Sequence, residues 1–464
     1  MTGGAATTSD DRARRGVLGP GFLLPTIGMV LIVAVAAFQN LAMASIMPEI
    51  SRDLDGETLY SLAFAAPLAA GVPGMVLAGN WADRAGARVV TWASATCFAL
   101  GTVVVAVSGS MPMFLAGRLV EGFGAGAVTV VLYVIVSRIY PEHLHGSIFA
   151  GFAAAWVVPG LVGPAIAGIV TDTWSWHWVF VGAFVIAIGS FLVLVPSLSR
   201  LAAPAVGVRP AWDRGRIAWS ALAAVAVLVL NVAPDLPVVA GVGLLVVGLV
   251  AAGVALRPLM PRGTFRAAPG LPAVIVIRAV SGAAFLGSEV YLPYLLQEHH
   301  GFSPSFAGVT LTIAALSWAF ASWVHGRLPE RLLTARRTFL TGFALVVVGL
   351  LSALLVASTG VSPVVMIVGW FIAGGGMGIV YPRTSMLTLR LSDDADHGFA
   401  SSALTIADST GTVIGLAITG IVFAAFGGRD ATVSFAVVFA AMTVVAVGGL
   451  VLVRRLGPVP APRS

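Results

Sequence analysis

Lysine is absent from this 464-residue chain, and all 26 basic residues are arginine. A Walker-type phosphate loop depends on its lysine, so ATP-driven work by this chain drops out of consideration. Cysteine occurs once, at Cys97, which rules out disulfides and cysteine metal sites within one chain and leaves a small apolar filler. Charge is scarce as well: 10% of residues carry it, against about 25% in a typical soluble domain. No glycine-rich nucleotide loop, metal-ligand cluster or nucleophile–base arrangement occurs, so no enzyme activity, cofactor or metal is expected.

What fills the chain instead is apolar. Hydrophobic residues make up 58% of it, with a mean hydropathy of +0.98. Runs longer than the roughly 18–20 residues needed to span hydrocarbon recur along its length. Fourteen are expected, at 22–46, 58–80, 89–109, 111–138, 145–170, 177–197, 217–234, 237–256, 270–294, 304–325, 337–358, 362–389, 399–426 and 431–453. Only Asn231, Pro234, Asp235 and Pro237 divide the seventh from the eighth, and twelve spans with a different central segment is the other count. The first run follows Arg12, Arg14 and Arg15 but is too long for a signal-peptide core, so it reads as a span. The fold class is therefore an all-α polytopic membrane protein.

Arginine placement orients the chain. With the N-terminus inside, 21 arginines fall in cytoplasmic segments, two (Arg52, Arg429) in external loops and three (Arg118, Arg278, Arg383) within spans. Retention of arginine in short cytoplasmic loops sets topology, so both termini are expected inside a multi-pass protein of the cytoplasmic membrane. The pI near 10.2 then reflects orientation and attraction to anionic lipid, not nucleic-acid binding.

A short phrase occurs twice, each time at the cytoplasmic end of a span. Gly79-Asn80-Trp81-Ala82-Asp83-Arg84 and Gly326-Arg327-Leu328-Pro329-Glu330-Arg331 both read G-x-bulky-x-acid-R. Pro48 precedes Gly79 by 31 residues and Gly56 by eight; Pro293 precedes Gly326 by 33 and Gly301 by eight. Repeated punctuation and charge point to two similar halves with a substrate path between them. Only the first copy continues into Gly86 and Arg88, which makes Asp83 and Arg84 the expected main latch.

The stretch Gly79–Arg88 resembles the signature after the second span of the major facilitator superfamily, with Gly79, Asp83, Arg84, Gly86 and Arg88 on its key positions. Arg118 with Glu121-Gly122-Phe123-Gly124 resembles the fourth-span motif of that superfamily's fourteen-span drug:proton antiporters, with Glu where Gln is usual. Gly151, Gly160, Gly163, Pro164 and Gly168 resemble the branch's fifth-span motif, although Ala167 replaces a glycine. Tyr291–Gln297 with Gly301, and Gly374–Gly378, resemble its ninth-span end and twelfth span. Two departures stand out: Gln39 occupies about the place of a first-span Asp, and His177 replaces an Arg.

The resemblance implies a bundle at 22–197, a linker with two inserted helices at 198–269, a second bundle at 270–453, and tails at 1–21 and 454–464. It also implies proton-coupled export of a small amphipathic substrate by a monomer, with protons as the second partner and Gly160, Gly163, Pro164 and Gly168 as a seal against leak. Uptake by symport remains the rival within transporters, and a transport-inactive scaffold or sensor the rival from another class.

Six intramembrane charges carry the chemistry: Arg118, Glu121, Arg278, Glu289, Arg383 and Asp408. Each costs about 2.5–3.5 kcal/mol at the bilayer centre, so they must pair, face the interior or line a wet cavity. Arg118 and Glu121 are i,i+3 neighbours able to pair. Arg278 and Glu289 share a helix face about 16 Å apart, and Arg278 is expected to snorkel toward headgroups. Asp408 sits on a stripe with Ser401, Ser402, Thr405, Ser409 and Thr410, satisfied by Arg383 or by hydroxyls. Glu289 or Asp408, with Glu121 next, is the expected proton carrier; Arg118, Gln39, Asn40 and Arg383 are the expected cavity or charge-pair residues. The arginines leave anionic cargo as open as cationic cargo.

Overall fold

Hydrocarbon offers no partner to a backbone amide, so a run that crosses it satisfies its amides internally, as a helix does. The computed structural model describes residues 17–19, 21–199, 212–232, 238–325, 334–392, 397–428 and 431–457. Gly326, Glu330 and Arg331 of the second repeated phrase lie outside them.

Among the described residues the chain forms sixteen α-helices and no strand. The first seven are α1 (Leu23–Asp53), α2 (Tyr60–Ala85), α3 (Ala87–Ala106), α4 (Met111–Ile139), α5 (Glu142–Ala154), α6 (Val157–Thr173) and α7 (His177–Leu198). Next come α8 (Arg214–Val232) and α9 (Val238–Leu256). The last seven are α10 (Leu271–Glu289), α11 (Tyr291–His300), α12 (Pro304–His325), α13 (Ala335–Thr359), α14 (Val364–Arg390), α15 (His397–Ala425) and α16 (Thr432–Leu452). Thirteen stretches are long and apolar enough to cross a membrane. The 19 residues of α9, without one polar side chain, supply a fourteenth. This is an all-α, multi-pass membrane protein.

Two spans are broken where the sequence suggests single helices. The fifth divides into α5 and α6 just ahead of Pro159, and the ninth into α10 and α11 just ahead of Pro293. Proline lacks the N–H that would bond the carbonyl four residues earlier, Ala155 in one case and Glu289 in the other. The helix gives way within a residue of each freed carbonyl.

The packing repeats. In the first set α1 packs on α6 and α7, α2 on α4, and α3 on α4 and α7. In the last set α10 packs on α15 and α16, α12 on α14, and α13 on α14 and α16. These are the same pairings, span for span. The sets meet reciprocally as well, α6 against α12 and α2 against α15. The inserted α8 lies against both α2 and α15, and α9 lies against α8.

Bare helix faces permit this closeness. A Cβ on Gly126 would overlap the Gly71 carbonyl between α4 and α2, and one on Gly374 or Gly378 would overlap the Ala314 or Trp318 carbonyl between α14 and α12. Small residues let membrane helices approach backbone to backbone. Gly126→Val should force α2 from α4 and cost about 1–3 kcal/mol by overpacking, read as a lower unfolding temperature in detergent. Gly182→Ala, with nothing within 4 Å of its Cβ, should leave that temperature unchanged.

Candidate functional site

Four side chains converge halfway across the last set. Arg278 on α10 faces Asp408 on α15 with both ends of its guanidinium: Nε lies 3.0 Å from Oδ1, and Nη2 donates to Oδ2 at 3.2 Å. Its Nη1 donates to the Tyr381 carbonyl (3.3 Å) and to Thr384 Oγ1 (3.1 Å) on α14. Tyr381 Oη donates to Asp408 Oδ1 at 2.7 Å, and its ring centroid lies 3.4 Å from Arg278 Cζ. A charge-assisted hydroxyl and a guanidinium against an aromatic ring are among the strong forms of such contacts. Glycine makes the approach possible: a Cβ on Gly282 would come within 3.0 Å of Asp408 Oδ1, and one on Gly411 would overlap the Ala279 carbonyl. Asp408 lies eleven residues into α15, about 16 Å along it and near the middle of a hydrocarbon core about 30 Å thick. The pair is not sealed, since the side chains keep 14% (Arg278) and 22% (Asp408) of their surface exposed.

Glu289 ends α10 at its break, with its carboxyl beside the Trp370 indole. Trp370 stacks on Phe285 (4.7 Å), Phe285 meets Trp318 edge-on (5.8 Å), and Trp318 meets Tyr381 edge-on (4.9 Å). Four rings thus run from one carboxylate to the other.

The first set buries its own charges more deeply. Arg118 Nη1 donates to Glu121 Oε2 at 2.5 Å on α4, and both side chains are under 5% exposed. Glu121 Oε1 lies 3.3 Å from Thr102 Oγ1 on α3, and Gln39 Nε2 on α1 donates to that hydroxyl at 3.3 Å. Asn40 is exposed, with Nδ2 bonded to the Ala36 carbonyl (2.8 Å). Arg383 on α14 is buried, with Nη1 3.4 Å from Met386 Sδ.

The two sets are joined at the arginine-poor end. Tyr60 Oη donates to the Val290 carbonyl (2.7 Å), and its ring stacks on Tyr294 at 4.5 Å. Gln297 Nε2 donates to the Ser45 carbonyl (2.9 Å), Arg52 Nε pairs with Glu298 Oε1 (3.0 Å), and Ser305 Oγ donates to Asp172. The fifth-span glycines border this junction: Gly160 faces Ala315, Gly163 faces Phe38, and Gly168 abuts Ser305, while Gly308 abuts the Pro164 carbonyl.

At the arginine-rich end, Gly86 turns the chain between α2 and α3 at φ 85°, a left-handed value that suits a residue without Cβ. Gly79 lies in ordinary contact with Val130, and Arg88 is exposed. Asn80 Oδ1 accepts the N–H of Asp213 at 3.0 Å, and Arg84 Cζ lies 5.0 Å from the Trp212 ring centroid. The side chain of Asp83 lies outside the description.

The family model of the Major Facilitator Superfamily matches residues 29–332 and again 274–464. The chain belongs to that superfamily. Among similar proteins, this transporter is 22% identical over 440 residues to the multidrug efflux pump SdrM of Staphylococcus aureus, covering 93% of this chain and 96% of that one. It is 26% identical over 409 residues to an uncharacterized MFS-type transporter of Mycobacterium tuberculosis, covering 86% of this chain but spanning only 59% of that relative. A crystal structure of the peptide transporter POT in complex with sulfate aligns with TM-score 0.70 at 17% identity over 96% of each chain, a likeness of fold.

Two sequence expectations about this transporter are corrected. Arg278 does not snorkel outward; it turns inward to Asp408, which compensates its charge better than headgroups at a distance. Asp408 is met by Arg278 and Tyr381, not by Arg383. Sequence reasoning missed Tyr381, Thr384 and Thr102 altogether. A signal for Tyr381 existed: the chain has only six tyrosines, and this one interrupts an apolar run beside Pro382 and Arg383. For the buried Arg118–Glu121 pair, Arg118→Met alone should cost about 3–5 kcal/mol by stranding a carboxylate. The double change Arg118→Met with Glu121→Gln should recover most of it, as measured by thermal unfolding in detergent.

Proposed function

We propose that this transporter is a proton-coupled exporter of small amphipathic compounds across the cell membrane, working by alternating access. Residues 22–197 and 270–453 form its two six-helix units, 198–269 carry the linker and inserted helices, and 1–21 and 454–464 are tails. One chain supplies both units, so a monomer is the working form. The arginine-rich end and both termini face the cytoplasm by the positive-inside rule. The joined, arginine-poor end is then external, which closes this conformation on the outer side.

The single observation that carries the coupling is Asp408 held between Arg278 and Tyr381 at mid-depth while still partly exposed. The pair joins opposite charges across α10 and α15. A proton arriving from outside cancels the charge and frees the arginine; its release to the cytoplasm restores the pair. One charge moving through 100 mV is worth about 2.3 kcal/mol, enough for a gradient of roughly fifty-fold. Glu121 is shut away beneath Thr102, and no ion pair of Glu289 occurs among the described residues, so Asp408 is the first choice of carrier. Glu289, among aromatic rings, suits a cationic cargo. The name of the SdrM relative supports the direction.

Ethidium transport by the purified chain in proteoliposomes tests this reading. An imposed proton gradient should drive ethidium uphill, a protonophore should abolish that, and Asp408→Asn should lower gradient-driven transport at least tenfold. Proton-driven transport that survives in Asp408→Asn sinks the assignment. The closure has its own test. A Cβ on Gly420 would lie 3.1 Å from Ser61 Cβ across the external junction, so the helices need part by only a few tenths of an ångström to reach the roughly 3.5–4.5 Å a disulfide spans. In a Cys97→Ser background, Ser61→Cys with Gly420→Cys should oxidise to a cross-link that halts ethidium transport, and a reductant should restore it.

A further inference from the structure

We propose that Tyr381 is a positioning residue that carries the charge state of Asp408 into the buried aromatic rings that run to Glu289. The inference rests on the reading of Asp408 as the coupled carboxylate. Tyr381 touches every part of the arrangement at once. Its hydroxyl donates to Asp408 Oδ1 (2.7 Å), its ring lies against Arg278 Cζ (3.4 Å), and its carbonyl accepts from Arg278 Nη1 (3.3 Å). Its outer edge meets Trp318 (4.9 Å), the first of the three rings that lead through Phe285 and Trp370 to Glu289. Arg278, Tyr381 and, beyond the ring, Glu289 are the charged or titratable groups described around Asp408.

The backbone beneath Tyr381 is built to give. Pro382 follows it inside α14 and has no N–H for the Gly378 carbonyl, which accepts from Ser322 Oγ on α12 instead, at 2.7 Å. Gly374, Gly375, Gly376 and Gly378 precede it on the same helix. A ring carried next to a missing helical bond can tilt at little cost, unlike one in an intact turn.

With Asp408 charged, the hydroxyl and the guanidinium both point at the carboxylate, and the ring is clamped between Arg278 and Trp318. When the proton binds, the carboxyl becomes a donor on one oxygen, the charge-assisted bond from Tyr381 weakens, and Arg278 is released. The clamp opens on one side only, so the ring and Trp318 shift together. Proton arrival thereby reaches the ring packing of Trp318, Phe285 and Trp370 and, beyond it, Glu289.

The hydroxyl favours the charged carboxylate, so removing it lets the proton stay on to a higher pH. In proteoliposomes, Tyr381→Phe should keep the ring contacts yet move the pH of half-maximal ethidium transport upward by about one unit, the tenfold expected for one hydrogen bond to a charged group. In an Asp408→Asn background the same change should add no shift. The pH-dependent part of the tryptophan emission that Trp318→Phe removes should also flatten in Tyr381→Phe, a readout that needs no transport. An unmoved pH profile in Tyr381→Phe, with proton drive lost in Asp408→Asn, overturns the inference and leaves the coupling assignment standing. Proton drive retained in Asp408→Asn overturns the assignment itself.

Discussion

Charge compensation inside hydrocarbon is the constraint on which this structure turns. An arginine or carboxylate that faces lipid alone costs enough that a fold holding six of them must find partners for them. The partner of Arg278 is on another helix, and reaching it requires α10 and α15 to touch at Gly282 and Gly411. The Arg118–Glu121 pair likewise sits where Gly101 lets α3 lie directly on the Glu121 backbone. Glycine placement and charge placement are thus one design. At Gly282, Gly411 and Gly101 a bare helix face lies directly beside an ionic side chain.

The two sets of helices use the same pairings but different chemistry. The first encloses its ion pair so completely that Arg118 and Glu121 are 3% and 2% exposed as residues, which suits a fixed strut. The last leaves the Asp408 side chain 22% exposed, held by Arg278 on α10 and Tyr381 on α14. The symmetric scaffold thus has an unsymmetric interior, with one ion pair enclosed and the other partly exposed. The tyrosine-rich junction of Tyr60, Tyr291 and Tyr294 closes one end by stacking and by single hydrogen bonds, contacts strong enough to hold and weak enough to be remade.

Much of this was legible in the sequence, and the failures share one cause. Fourteen spans, two repeated halves and the family motifs all follow from patterns local to a helix or its ends. A kink at Pro293 and a bend within Gly151–Gly168 were legible too; the breaks fall at Ala155 and Val290 because a proline acts on the carbonyl four residues before it, so the helix parts ahead of the visible residue. Arg278 was misjudged because its partner lies 130 residues away, a proximity created by packing and not by spacing. Arg118 and Glu121, three residues apart, posed no such difficulty. Tyr381 went unseen because a lone aromatic in an apolar run resembles filler until its neighbours are known.

The inserted pair α8 and α9 breaks the remaining symmetry. It covers the seam where α2 meets α15, and Trp212 and Asp213 at its start are held by Arg84 and Asn80 of α2. Among the described residues, the inserted helices make their main contacts with α2 and α15 and not with the opposite seam, α6 against α12. A two-fold bundle would look alike to the bilayer from both sides, but this one has a back and a front. On that front, α6 turns Val162, Ile166 and Ile169 outward, while Gly160, Gly168 and Gly308 lie buried in the crossing behind them, so lipid reaches the seam only through a layer of branched side chains.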